Sequence, residues 1–190
     1  MCFVDKSQAP GRRQLSWEAA QAARIGQEVQ RLRDKRTASW LADRVEKLGL
    51  KMTRQTIADL ENGRRRYVTT AELAVLAAAL NTTPVALAYP EPYDDDGQFL
   101  EVLRDIPVPK LLAAQWFSGL TSLPLTDASD RQEYERNTRQ LRDARRIWDL
   151  ERQLSELVIP EEAGALRELA LERAASLHRE LEARKEGRGA

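Results

Sequence analysis

The chain has 190 residues, of which 32% are charged and 6% aromatic, and its formal charges cancel. That length admits one large domain, or a domain of about 75 residues with a second segment, and it can bury a core without covalent staples. The single cysteine, Cys2, excludes an intramolecular disulfide. Met1–Lys6 lack the basic flank and apolar core of a secretory leader. The longest apolar run, Ala71–Leu80, is broken by Glu72 and is far too short to span a bilayer. These features predict a cytoplasmic protein that does not enter the membrane.

Neutrality conceals an asymmetry. Residues 1–92 hold 15 Lys+Arg against 10 Asp+Glu, whereas residues 93–190 hold 15 against 20. A basic half joined to an acidic half suggests that only the first part meets a polyanion. The composition, with few β-branched runs, favours amphipathic helices over sheets, so the expected fold class is all-α.

In chain order, residues 1–14 read as a flexible basic arm carrying Arg12 and Arg13. Ser16 caps a helix with Trp17, Ala20, Ile25, Val29 and Leu32 on one apolar face, running to about Lys35. Thr37 and Ser39 supply hydroxyls at the start of a second helix bearing Leu41, Ala42, Val45 and Leu48, which Gly49 stops. Thr53 caps a third, with Ile57 and Leu60 inside and Asn62-Gly63 at its end. Thr69 and Glu72 form a capping box for a fourth helix to Leu80, and Pro84 suits the first turn of a short fifth. Pro90-Glu91-Pro92-Tyr93-Asp94-Asp95-Asp96-Gly97 then breaks the pattern, so residues 91–97 are expected to be a linker.

The run Thr53-Arg54-Gln55-Thr56-Ile57-Ala58-Asp59-Leu60-Glu61-Asn62-Gly63-Arg64-Arg65 resembles the recognition helix and following loop of the Cro/C1-type (Xre) regulators, which include the lambdoid phage repressors. The Ala/Leu-rich Thr70–Leu80 and the segment Pro84-Val85-Ala86-Leu87 are similar to that family's fourth and fifth helices. The resemblance covers residues 15–90 and implies a five-helix domain with a helix-turn-helix. One departure is visible: the family places Ala and Gly four residues apart before the turn, whereas Ala42 lies seven before Gly49. A longer second helix or turn is therefore expected. The family also implies that the acidic residue at Glu61 bonds within the fold.

The chemistry of the third helix can be stated from its residues. A major groove admits one α-helix and offers patterned donors and acceptors. Arg54 can pair with guanine, Gln55 with adenine, Asp59 can accept from cytosine, and the Thr56 methyl can touch thymine. Phosphate contacts are expected from Thr37, Ser39, Thr53, Arg64, Arg65 and Arg66, which lie at helix N-termini or directly after the reading helix. Arg12 and Arg13 sit on the arm, where a minor groove is within reach.

Residues 98–190 read as a helical C-terminal region. Apolar side chains around Pro107 and Pro109 suggest two short helices over 98–120. Residues 128–157 form a long helix with Tyr134, Leu141, Trp148, Leu150, Leu154 and Leu157 along one side, and 161–185 a second with Leu166, Leu169, Ala170, Leu177 and Leu181. A helical hairpin results, self-packed or paired with a second copy. A homodimer would let two reading helices span successive turns of a two-fold operator. Alternatively Arg139, Arg142, Arg145 and Arg146 clamp phosphates as a second DNA contact in a monomer on an asymmetric site, although nearby Asp143, Asp149 and Glu151 offer internal salt links.

No metal-ligand cluster, phosphate-cradling glycine loop or nucleophile elbow is present. His178 sits alone among Arg and Glu, and Cys2 has no base beside it. The expectation is a non-enzymatic regulator of double-stranded DNA, a repressor by family resemblance, needing no cofactor. The alternative is an antitoxin-like or adaptor protein whose C-terminal helices bind a protein partner.

Overall fold

A computed structural model of the chain describes residues 15–93, 99–124, 127–159, 161 and 164–187. The arm residues Arg12 and Arg13 lie outside them. The fold is mostly helical, with one small two-stranded sheet. No helix among the described residues is long and apolar enough to cross a membrane. The chain divides into two compact units, up to Ser118 and from Gly119 onward.

The first unit opens with α1 (Trp17–Arg33), α2 (Ala38–Lys47), α3 (Arg54–Glu61), α4 (Thr70–Ala79) and α5 (Pro84–Ala88). Three of these starts carry the threonine caps read from the sequence, and Thr83 adds a fourth. Thr37, Thr53, Thr69 and Thr83 each accept a hydrogen bond from a backbone N–H three residues on, and Glu72 completes the box by accepting from the Thr69 backbone. Ser16 occupies the N-cap position of α1 without such a bond. The core is built where the apolar faces converge: Ile25 and Val29 of α1, Leu41 and Val45 of α2, Ile57 and Leu60 of α3, Leu73 and Leu76 of α4, and Leu87 of α5. Met52, in the connection before α3, is buried with them.

The connection between α2 and α3 is long, as the Ala42–Gly49 spacing anticipates. Leu48 caps α2, Gly49 takes a left-handed conformation at φ 91°, and α3 starts only after Thr53.

Residues 99–117 correct the sequence reading. In place of two short helices, β1 (Phe99–Leu103) and β2 (Ile106–Pro109) form an antiparallel hairpin, and only α6 (Lys110–Phe117) is helical. The physical reason is visible in the residues. Leu100 and Val102 alternate with exposed neighbours at period two, and prolines at 107 and 109 would each remove a helical hydrogen bond. In a two-stranded sheet every strand is an edge, where proline is tolerated. Asp105 makes the turn at φ 61°.

This hairpin and α6 belong to the first unit. The indole of Trp17 on α1 donates to the carbonyl of Glu101 at 3.3 Å. Tyr89 after α5 meets Phe117 of α6 edge to face, with centroids 5.4 Å apart. Arg24 covers Tyr89 and donates to the carbonyl of Ala88 at 2.8 Å, tying α1 to the end of α5.

The second unit is a helical hairpin of α7 (Ala128–Glu156) and α8 (Ala165–Glu186). Ion pairs run from Asp143 to Arg184 and from Arg146 to Glu180, which sets the helices antiparallel. Its buried cluster is small: Ile147 and Leu150 against Leu177 and Leu181, with Leu154 beside them. Two parts of the expected apolar sides point elsewhere. Trp148 is 64% exposed and Leu141 is also exposed, because a residue two positions from Leu150 lies about 200° around an α-helix. Ile147 takes the inward place instead. Leu166 and Leu169 are exposed on α8, and His178 likewise faces outward.

The tightest joint of the first unit lies between α1 and α3. A Cβ on Gly26 would come within 2.1 Å of the Leu60 carbonyl oxygen, a backbone atom that cannot step aside. Gly26→Ala is therefore expected to lower stability by about 1–3 kcal/mol, read from chemical denaturation of the full chain. An unchanged midpoint would show that the helices separate at no cost.

Candidate nucleic-acid interface

α3 is short, and its orientation depends on what holds it. Ile57 and Leu60 are fully buried on one side. Beside them, Arg33 of α1 grips Glu61 with both arms of its guanidinium, at 2.7 and 2.8 Å. The two side chains are 14% and 6% exposed, so the pair is shielded from water. The hydrogen bonds Arg33 donates to Glu61 outweigh burial and push the Arg33 pKa above its ordinary value. Glu61 thus bonds within the fold, as the family resemblance implies, and its partner is Arg33.

With that side fixed, the opposite side carries the residues expected to read bases. Arg54 and Gln55 are exposed, and Thr56 and Asp59 are partly so. The Gln55 amide donates to the Asp59 carboxylate at 2.9 Å, and Arg64 reaches the same oxygen at 3.4 Å. Gln55, Asp59 and Arg64 therefore form one polar chain along the exposed face. Thr53 and Thr56 hold each other through their hydroxyls at 2.9 Å, at the N-terminal end where four backbone N–H groups are unpaired by the helix itself. Arg54 has no such partner among the described residues and leaves its guanidinium free at the helix start.

The three arginines after α3 divide in role. Arg65 is only 20% exposed and is committed to Glu72 by two bonds of 2.7 and 3.1 Å. It ties the loop to the capping box of α4 and is not presented outward. Arg64 and Arg66 are 70% and 72% exposed, paired at the surface with Asp59 and Glu18. Arg66 is the main cause holding the Glu18 carboxyl below its ordinary pKa. Exposed pairs of this kind contribute little to stability and exchange readily for another anion.

Thr37 and Ser39 are both exposed at the start of α2, and the Thr37 hydroxyl accepts from the Trp40 backbone N–H at 3.1 Å. A feature absent from the sequence reading lies beside them. Trp40 is flanked by Arg36 and Arg44, with guanidinium carbons 4.2 and 5.1 Å from its ring centroid. The signal was the spacing of four between Trp40 and Arg44, which places both on one side of α2, while Arg36 reaches the ring from the turn before the helix. Gly26 and Arg33 were also missed as positioning residues, since their meaning depends on a helix nearly thirty residues away. Of the C-terminal arginines, Arg139 pairs with Asp143 and Arg146 with Glu180 and Asp149, while Arg142 and Arg145 have no carboxylate partner among the described residues.

Two outcomes follow for this region. Glu61→Gln leaves a shielded guanidinium uncompensated and is expected to cost about 3 kcal/mol or more in urea denaturation; a loss below about 1 kcal/mol would mean that the pair does not anchor α3. Burial raises the Glu72 carboxyl, but the bonds from Arg65 and Thr69 outweigh it and leave its pKa below the ordinary carboxylate value. A lowered folded pKa contributes stability that is fully present above the unfolded value and is lost as pH falls through the folded one. Thermal melts from neutral pH into that acid range should therefore show a shallower decline for Glu72→Gln than for the parent chain. Parallel curves would remove Glu72 from the acid response.

No family model, curated protein or solved structure matches this chain.

Proposed function

We propose that the chain is a sequence-specific DNA-binding regulator of the Cro/C1 helix-turn-helix type, with α3 as the helix that enters the major groove. The observation that carries this reading is the two-sidedness of α3: Ile57, Leu60 and Glu61 are fixed to the bundle while Arg54, Gln55, Thr56 and Asp59 occupy the opposite, accessible side. Those side chains have the donor and acceptor sets that base edges require. The Gln55–Asp59–Arg64 chain orders three of the polar groups before any DNA arrives, which lowers the entropy lost on binding.

Phosphate contact falls to Arg64 and Arg66 and to the N-terminal ends of α2 and α3 at Thr37, Ser39 and Thr53. Arg65, held by Glu72, stabilises the loop that presents its neighbours. Occupation of an operator would make the protein a repressor, and a homodimer formed through α7 and α8 would match a two-fold site.

A second reading is favoured by one observation. Val158, Ile159, Leu166 and Leu169 are exposed at the loop end of the α7–α8 hairpin, a concentration of apolar side chains that suits a protein partner. In that reading the chain is an adaptor, and DNA contact is secondary.

Selection from a random DNA pool separates the two. An enriched site is expected, with Arg54→Ala and Gln55→Ala each relaxing base preference at a cost of about 1–3 kcal/mol. Arg64→Ala should instead weaken all sequences alike and reduce the salt slope by about one. Failure to enrich any sequence would sink the DNA reading and leave the adaptor.

A further inference from the structure

In the second unit, Arg142, Arg145 and Arg146 of α7 line a cavity of about 260 Å3 together with Asp149 and Leu120. Spacings of three and four residues put these polar groups on neighbouring positions of one helical side. Three guanidinium groups and one carboxylate leave the lining with two positive charges in excess. Asp149 also accepts from Arg152 at 3.0 Å and from Gln153 at 2.7 Å, so its charge is already paired.

The arginines of this hairpin are not equivalent. Arg139, Arg146, Arg152 and Arg184 each have a carboxylate partner. Arg142 and Arg145, both partly buried, have none among the described residues. The Nε of Arg142 and one terminal nitrogen of Arg145, Nη1, are out of contact with solvent and without a hydrogen-bond partner. Such donors carry the desolvation cost of a buried polar group, and for a charged group that cost is large.

The surroundings hold these side chains in place. Arg142 donates through Nη2 to the carbonyl of Glu135 at 3.0 Å, and Arg146 is clamped by Glu180 through two bonds of 2.8 Å. Gly119, at φ 69°, has no side chain, and a Cβ there would sit 3.6 Å from Nη1 of Arg145 and 3.1 Å from Leu141. The left-handed conformation at Gly119 is one that side chains rarely adopt, and it brings the chain beside Arg145.

We infer that this arginine-lined cavity binds a phosphate group, carried either on a small organic molecule or on a nucleic-acid backbone. Guanidinium forks match the several acceptor oxygens of a phosphate. Two excess positive charges balance a phosphate monoester dianion, and Leu120 gives the cavity one apolar wall for an organic substituent. The inference does not depend on the DNA reading of α3, which lies in the other unit.

The test uses the full chain with inorganic phosphate, phenyl phosphate and a random-sequence DNA duplex, each against sodium chloride at matched ionic strength. Binding is read as a rise in melting temperature that grows with concentration, and as a selective shift of the Arg142 Nε–H signal in NMR. Phenyl phosphate is expected to act at lower concentration than inorganic phosphate. Arg142→Gln/Arg145→Gln should lose both responses, while Arg139→Gln, whose charge is already paired outside the cavity, should keep them. A response to the duplex alone, lost in the double variant, would assign the phosphate to the nucleic-acid backbone. Responses equal to those in chloride, or unchanged in the double variant, would overturn the proposal. The NMR arm on the parent chain decides the matter if the double variant fails to fold.

Discussion

The placement of α3 depends on one close approach. At Gly26 the backbone of α1 comes so near the Leu60 carbonyl that any side chain would collide with it, and a few residues further along Arg33 closes on Glu61. The first contact sets the distance between the helices, and the second adds a directional, shielded pair that resists rotation of α3 about its own axis. Dispersion and apolar burial at Ile57 and Leu60 supply the attraction, but by themselves they would tolerate sliding. A helix of eight residues has little stability of its own in water. Its exposed side can present a defined set of groups only because the hidden side is over-determined.

The same division of labour extends into the loop after α3. Arg65 and Glu72 join the loop to the capping box of α4, so one carboxylate accepts from a guanidinium and from the Thr69 backbone together. Arg64 and Arg66 flank this anchor and project outward. Three consecutive arginines, alike in the sequence, thereby become one structural strut and two accessible cations. A polyanion approaching α3 would meet the two that exchange a weak surface partner for a phosphate at low cost.

The second unit follows a different economy of packing. Four buried side chains join two long helices, while ion pairs set their register. Much apolar surface remains exposed near its loop end, and on α7 two arginines stay uncompensated. The first feature is what the adaptor reading rests on, and the second is where the proposed phosphate site lies.

The sequence by itself determined the helices of the first unit and their starts. Threonines at 37, 53 and 69, the box with Glu72 and the stop at Gly49 are local signals, each acting within a few residues of where it is written. Periodicity likewise marked Ile57 and Leu60 as inward and Arg54 and Gln55 as outward, since the side of a helix follows from its pitch. It misjudged residues 99–109, where short apolar runs fit either period and the prolines decided for a hairpin. It also misplaced Trp148, because a long helix with several apolar residues offers more than one candidate face. Only the tertiary structure decided which charges are spent. That Glu61 is held by Arg33, and that Arg142 and Arg145 lack the partner Arg146 has, depend on residues far apart in the chain, and that Arg65 rather than Arg64 is withdrawn depends on how the loop folds back to Glu72. Charge pairing is a matter of distance in space, and no local rule of the chain records it.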